Sequence, residues 1–431
     1  MLQEECKEKI LSEEYRDFMM RDTGALGENF PLENGCRIPL KYGFELLYID
    51  QSEDRKKPLG DYPYTMVPKC YTTLDMAAIQ QAGIAAVQNL TGLELSGEGV
   101  LVGIIDTGIN YLDPIFRNLD GSTRIRRIWD QEEQSGTAPR EIGYGSEYTR
   151  EQINLAIQSE NPKETVPSFD TDGHGTFVAS VACGGANPEN LFIGAAPEAE
   201  MVIVKLKEAK EYLREYYFVD CDARCYQEND LVAAVFYLQK VQEELKRPLV
   251  ICLAVGTSFG GHGGYSILSE YLQNVAASEG IGIVTGSGNE ADKRHHYLGI
   301  LEQENNQPVE INVGNNTRGF VMELWTELPN LLALSIESPT GQTIGPVSLR
   351  RGIGEYVFVF EQTRVIFNYR VLVETTGAQL AFFQFDRPGS GIWKIIPETL
   401  ELGNGIFHIW LPMEEFLTGN VYFIRANPEY T

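Results

Sequence analysis

The sequence predicts an α/β fold in which a mostly parallel sheet is flanked by helices and joined to an all-β sandwich. Val100–Ile105 and Leu249–Val255 are continuous apolar runs, as in strands buried on both faces of a parallel sheet. Between them, residues 229–244 carry an apolar stripe at helical spacing. Residues 297–425 contain many short apolar or alternating runs separated by turn residues, which predicts an antiparallel sandwich.

Length and composition limit the class of protein. A chain of 431 residues is long enough for two or three domains, and its hydrophobic content of 43% is that of a globular protein. The net charge of -26 argues against a nucleic-acid-binding surface. Charged residues in Met1–Lys9 predict no secretory signal, and no apolar run is long enough to predict a membrane span. We therefore expect an intracellular protein.

The seven cysteines are odd in number and irregularly spaced, which does not indicate a disulfide framework. Cys221 and Cys225 could pair or bind a metal, but no further ligands accompany them. We predict reduced thiols and no metal site.

His174 lies between two glycines, in Asp172-Gly173-His174-Gly175-Thr176, where a loop gives way to a helical pattern. The glycines allow the backbone beside the imidazole to approach another segment closely. A turn histidine that satisfies one local hydrogen bond is the alternative interpretation. The chain upstream favours a functional role.

Asp106 ends the apolar run that begins at Val100 and is followed by Thr107-Gly108. Catalytic groups of open α/β sheets collect at the carboxyl ends of strands. An aspartate at such a place can hold an imidazole in one tautomer and stabilise its charged form.

The motif pair D-T-G-I and D-G-H-G-T-x-V-A, in that order, resembles the subtilisin-like serine peptidases, or subtilases. The spacing of 68 residues between Asp106 and His174 is longer than in the smallest subtilases, and residues 131–168 read as a surface insertion. The resemblance implies a subtilisin-like parallel sheet, with Asp106 orienting His174 as the general base.

Two further segments carry the resemblance. Asn289, in Gly286-Ser287-Gly288-Asn289-Glu290, is similar to the family's A-x-G-N-E motif, which implies an oxyanion-binding amide. Its alternative is an ordinary turn residue. Ala254, Val255 and Gly256 occupy the place of the family's substrate-lining segment, although the family commonly has serine where this chain has Ala254. An extended substrate is expected to add as a strand beside them.

The family's nucleophile is not found among these residues. Ser258 lies in a G-T-S triplet, but Phe259-Gly260-Gly261 follows it and cannot easily start a helix, and it precedes Asn289 instead of following it. We interpret it as part of a glycine-rich loop at the rim of the substrate cleft. Ser390 precedes a strand pattern and reads as a hairpin turn. Without a serine, the Asp106–His174 pair has nothing in this chain to deprotonate.

An all-β domain placed soon after the asparagine motif resembles the clostridial Csp-type germination proteases. That resemblance implies a jelly roll for the sandwich and a cytoplasmic or spore-associated location. Four regions are predicted: a propeptide-like region with a linker at 1–85, an incomplete catalytic domain at 86–296, the inserted sandwich at 297–425, and the start of a return to the catalytic domain at 426–431. An extension packed on the core is the alternative for the first region.

Two functions remain open. The first is a serine endopeptidase that acts on polypeptides and whose serine lies outside these residues, so that the chain alone is inactive. Its partners would be a polypeptide substrate, its own propeptide or a complementary C-terminal fragment, without nucleic acid or membrane. The second is a non-catalytic, peptide-binding subtilase relative. No cofactor is predicted, and a structural calcium ion is left open.

Overall fold

The computed structural model describes residues 2–21, 35–51, 57–73, 84, 88, 95–187, 192–301, 308–347, 353–373, 376–401 and 403–425. None of the helices in these ranges is long and apolar enough to cross a membrane.

The N-terminal region is a small antiparallel sheet with one helix. Its elements are α1 (Leu2–Leu11), β1 (Tyr15–Arg21), β2 (Cys36–Pro39) and β3 (Phe44–Asp50), and the strand order is β1-β3-β2. Local pattern predicts a helix over residues 11–20, and this is wrong because β1 pairs along its whole length with β3. Pairing with a distant strand has outweighed local helix propensity.

A disulfide between Cys6 and Cys36 ties α1 to β2. The prediction of reduced thiols is therefore wrong for this pair, because the fold brings together two cysteines whose spacing gave no sign of pairing. The other five cysteines are free, as predicted.

The central part of the chain alternates strands with helices. Its strands are β4 (Cys70–Thr73), β5 (Leu101–Asp106), β6 (Ile125–Asp130), β7 (Ser146–Thr149), β8 (Glu200–Lys205), β9 (Tyr226–Gln227), β10 (Leu249–Leu253), β11 (Val255–Gly256) and β12 (Ile281–Thr285). Its helices are α2 (Arg150–Gln158), α3 (Pro162–Thr165), α4 (His174–Cys183), α5 (Glu211–Tyr217), α6 (Glu228–Leu245) and α7 (Ile267–Ala276).

Six of these strands form one sheet in the order β12-β10-β5-β8-β6-β7, with only the β6–β7 pair antiparallel. Every residue of β5 is buried. Leu101 and Ile105 face the core that contains α6, whereas Val102 and Ile104 face the core that contains α4. Helices therefore cover both faces, as a run of apolar residues without alternation requires.

The C-terminal part is a sandwich of two antiparallel sheets. Its strands are β13 (His296–Ile300), β14 (Val309–Val313), β15 (Gly319–Glu327), β16 (Leu331–Glu337), β17 (Thr343–Val347), β18 (Ile353–Phe358), β19 (Thr363–Arg370), β20 (Ala378–Asp386), β21 (Gly391–Glu401), β22 (Ile406–Trp410) and β23 (Val421–Phe423). The sheet orders are β13-β22-β15-β20-β19-β18 and β17-β16-β21-β14-β23. Side chains from both sheets share one core. The α/β class with an added sandwich is confirmed; the jelly-roll arrangement and the domain boundaries stay predictions.

Another apolar cluster joins the three regions. It contains Phe18 of the N-terminal sheet, Tyr217 at the end of α5, and Phe382 and Phe416 of the C-terminal part. The carboxylate of Glu323 on β15 is fully buried in this area. It accepts hydrogen bonds from the Tyr64 hydroxyl (2.5 Å) and from the backbone N–H of Gly260 (2.9 Å). The sandwich and the N-terminal region therefore both hold the glycine-rich loop in place.

Candidate active site

Asp106 is the last residue of β5, at the carboxyl edge of the parallel sheet, and its side chain is fully buried. Its Oδ1 atom accepts a hydrogen bond from the backbone N–H of Thr107 (2.7 Å). Its Oδ2 atom is buried and has no hydrogen-bond partner among the described residues. Burial raises the pKa of Asp106 above its usual range, while the hydrogen bonds from His174 and Thr107 work in the opposite direction.

His174 is the first residue of α4, and its Nδ1 atom lies 2.8 Å from Oδ1 of Asp106. An ionised carboxylate can only accept, so this contact places the imidazole proton on Nδ1. The His174 side chain remains 17% exposed, whereas the Asp106 side chain is not exposed at all. One ring nitrogen is therefore held by a buried acid, which is the arrangement that a general base requires.

The loop before His174 is organised by Asp170, a residue that the motif analysis did not single out. Its Oδ1 atom accepts from the Thr107 hydroxyl (2.9 Å) and from the N–H groups of Asp172 (3.1 Å) and Gly173 (2.8 Å). Its Oδ2 atom accepts from the N–H (2.8 Å) and hydroxyl (2.6 Å) of Thr176. Burial alone would raise the pKa of Asp170, but these hydrogen bonds hold it below the usual value.

The first turn of α4 packs directly on the loop after β5. The N–H of Gly175 donates to the Thr107 hydroxyl (2.8 Å). A Cβ atom on Gly175 would lie 2.3 Å from the carbonyl oxygen of Gly108, so only glycine fits. The glycine after the histidine thus allows the close approach that brings His174 to Asp106. The sequence signal for Asp170 was the presence of an acid four residues before the histidine.

Two of the three residues predicted to line a substrate form a short strand that pairs with another segment of the chain. Val255 and Gly256 form β11, which pairs antiparallel with β4 in the register Val255↔Thr73 and Gly256↔Thr72. On its other side β4 pairs antiparallel with β9, in the register Cys70↔Gln227. Ala254 precedes β11 and is buried in the core that contains α4. The sequence did not predict β4, because a run of four residues does not indicate which distant strands it will pair with.

A cavity of about 390 Å³ adjoins this cleft. Its lining includes Gly256, Ser258, Gly288 and Glu290, so the glycine-rich loop does rim a cavity. Asn289 is exposed and lies in the loop after β12, between two of these lining residues. The role of Asn289 as an oxyanion donor stays a prediction. The Ser258 side chain is buried.

A larger cavity of about 570 Å³ lies between the glycine-rich loop and the sandwich. Among its lining residues are His262, Trp325 and Trp410, and none of the predicted catalytic residues belongs to it. The smaller cavity is the one whose lining includes Gly256 and the two neighbours of Asn289.

A buried aspartate at a strand end of an α/β sheet, hydrogen-bonded to a histidine at a helix N-terminus, is an arrangement found in hydrolases. The model of the subtilase family matches residues 97–317, about half of the chain. The chain belongs to the subtilase family.

Known proteins that resemble this chain agree with that assignment. Subtilisin-like proteases SBT2.2 and SBT2.3 of Arabidopsis thaliana are each 33% identical to it, over 102 and 101 residues. Each alignment covers 22% of this chain and 12% of the relative, so the chain matches only a small part of their length. The solved structure of the Clostridium perfringens CspB protease superposes with a TM-score of 0.68 and 28% identity, covering 80% of this chain and 67% of that one.

Proposed function

We propose that this chain carries the acid–base half of a serine endopeptidase site. The hydrogen bond between Asp106 and His174, at the carboxyl edge of the sheet, is the observation that carries the proposal. In the proposed mechanism a serine hydroxyl transfers its proton to His174 Nε2 as its oxygen attacks the substrate carbonyl. Asp106 holds the Nδ1–H and stabilises the imidazolium, and Asn289 donates its amide to the oxyanion. His174 then returns the proton to the leaving amine.

The nucleophilic serine is proposed to lie on polypeptide outside these 431 residues. No serine after Asn289 stands in the family's G-T-S-x-A motif. Ser258 is the alternative within the chain, but it precedes Asn289 and no helix begins at it, since α7 starts at Ile267. The chain alone is therefore expected to be inactive.

Residues 1–85 are proposed to act as a propeptide-like region. The support is the position of β4 between β9 and β11, where an extended substrate would add as a strand. The proposed partners are thus a polypeptide substrate, the chain's own N-terminal region and a complementary C-terminal fragment. A cytoplasmic or spore-associated location and a structural calcium ion remain predictions.

A non-catalytic, peptide-binding function is the second candidate. The position of β4 between β9 and β11 favours the peptide-binding function, because holding a peptide at that position without cleaving it requires no nucleophile. The intact Asp106–His174 pair favours the peptidase, because peptide binding alone requires neither residue.

A fluorophosphonate probe, which labels only an activated serine, distinguishes the two functions. For the peptidase we expect no labelling of the chain alone, and labelling after a fragment with the G-T-S-x-A motif is added. A His174→Gln variant is the matched control and should stay unlabelled with the fragment. If labelling is absent with and without the fragment, the peptidase proposal is wrong and the peptide-binding function is favoured.

A further inference from the structure

The side chains of β4 alternate between two environments. Cys70 and Thr72 are fully buried, while Tyr71 and Thr73 on the opposite face are only partly covered. Cys70 belongs to the apolar cluster that joins the three regions of the chain. The rest of the chain therefore surrounds the side chains of β4 at the two positions that pair with Gln227 and Gly256.

Thr72 makes a polar contact within this covered position. Its hydroxyl donates a hydrogen bond to Oε2 of Glu415 at 2.6 Å. Glu415 lies in the 3-10 turn Glu414–Phe416, which follows β22 in the C-terminal part of the chain and is remote from the catalytic motifs. A carboxylate can only accept, so it matches a side chain that donates and leaves an apolar one without a hydrogen bond.

The turn that carries Glu415 is fixed on both sides of that residue. The Phe416 side chain is 1% exposed, and its carbonyl oxygen accepts from the N–H of Asp220 (2.9 Å). The N–H of Glu414 donates to Glu290 Oε2 (3.2 Å), next to Asn289. The backbone on which Glu415 stands is thus held against both the apolar cluster and the predicted oxyanion loop.

We propose that Glu415 is a specificity-determining residue that selects a serine or threonine at the position of the substrate strand paired with Gly256. The substrate class is an extended polypeptide with a small side chain at the position of Cys70 and a hydroxyl two residues later. This inference rests on the proposed peptidase function, since it treats β4 as a stand-in for substrate. The C-terminal sandwich would then supply part of the recognition surface.

Hydrogen exchange of the β4 amides in the full chain tests the proposal without any catalytic turnover. We expect Thr72→Val and Glu415→Ala each to accelerate hydrogen exchange of the amides of residues 70–73 by about tenfold. This factor corresponds to the stabilisation that one hydrogen bond contributes. The double variant should exchange no faster than either single variant, and Thr72→Ser should match the wild type. Thr73→Val, on the opposite face, is the matched control and should also match the wild type.

The proposal is overturned if the two effects simply add, if Thr72→Ser behaves like Thr72→Val, or if none of the variants changes the exchange. Where a C-terminal fragment restores activity, peptides with threonine or valine at this position add a second readout. We expect kcat/KM to favour threonine about tenfold, and Glu415→Ala to remove the preference. If the exchange effects of Thr72→Val and Glu415→Ala are non-additive but the fluorophosphonate probe never labels the protein, the contact between Thr72 and Glu415 is supported and the peptidase function is rejected. Failure of the contact can therefore be distinguished from failure of the peptidase proposal.

Discussion

His174 Nδ1 lies 2.8 Å from Oδ1 of Asp106, although 68 residues separate them in the chain. The contact joins the end of a buried central strand to the start of a helix that packs on it. Both backbones are fixed by the surrounding fold, so the imidazole is oriented before any substrate binds.

Replacing Asp106 with asparagine should change the tautomer of His174. The asparagine amide can donate to Nδ1, which would move the ring proton to Nε2 and disable the general base. In serine peptidases the corresponding replacement lowers turnover by about 10⁴-fold. The tautomer is measured by NMR on protein with ¹⁵N-labelled histidine, with His174→Gln to assign the signal. An unchanged Nδ1–H tautomer in Asp106→Asn would contradict the assigned role.

The same variant should not lose stability at neutral pH. Because the pKa of Asp106 is raised in the folded state, the folded chain binds more protons than the unfolded chain at pH values between the unfolded pKa of about 3.9 and the folded pKa. The contribution of Asp106 to stability therefore falls as the pH rises. We expect wild type to lose stability relative to Asp106→Asn as the pH increases above about 4, as measured by urea unfolding.

Replacing Gly175 with alanine should disrupt the packing of α4 on the loop after β5. The new Cβ would lie 2.3 Å from the Gly108 carbonyl oxygen, a backbone atom that cannot rotate away. We expect a loss of about 1–3 kcal/mol in the free energy of unfolding. Gly282→Ala on β12 is the control, because the nearest atom there lies 4.0 Å away. Equal stability of the two variants would show that the close contact is unimportant.

Asp170→Asn should weaken the loop that carries His174, because the carboxylate accepts from five donors. We expect a loss of roughly 1.5–3 kcal/mol at neutral pH. The pKa of Asp170 is lowered on folding, so its contribution is present above the unfolded value of about 3.9 and lost as the pH falls below it. Urea unfolding at pH 7 and pH 3 tests this. A pH-independent difference between the variant and wild type would count against the assignment.

The edge strand β12 should drive association of the isolated chain. Among the described residues it pairs only with β10, and Val284 on it is 58% exposed. Val284→Lys should weaken self-association by about tenfold or more, because a lysine on an edge strand opposes strand pairing. Light scattering over a concentration series measures this, with Leu155→Lys on α2, also an exposed apolar site at 62%, as the control. A monomeric wild type, or equal effects of the two lysines, would reject the edge as the cause.

The contact between Asp106 and His174 was predictable because both residues stand in short motifs next to strongly patterned elements. The continuous apolar run that ends at Asp106 indicated a buried strand, and glycines flank His174 where a helical pattern begins. The contacts that the supporting residues make could not be predicted in this way. Asp170 acts through five hydrogen bonds to groups on two segments, and Glu415 contacts a residue 343 positions away.

Local sequence was enough to predict the α/β class, the added sandwich and the pairing of Asp106 with His174, because hydrophobic periodicity and short motifs are properties of neighbouring residues. The folded chain was needed to show that Tyr15–Arg21 is a strand, that Cys6 bonds to Cys36, and that Cys70–Thr73 pairs with Val255–Gly256. Each of these depends on which distant segments the folded chain places side by side. Pairing between distant strands and contacts between distant side chains leave no repeating pattern in the local sequence. Local patterns therefore could not predict them.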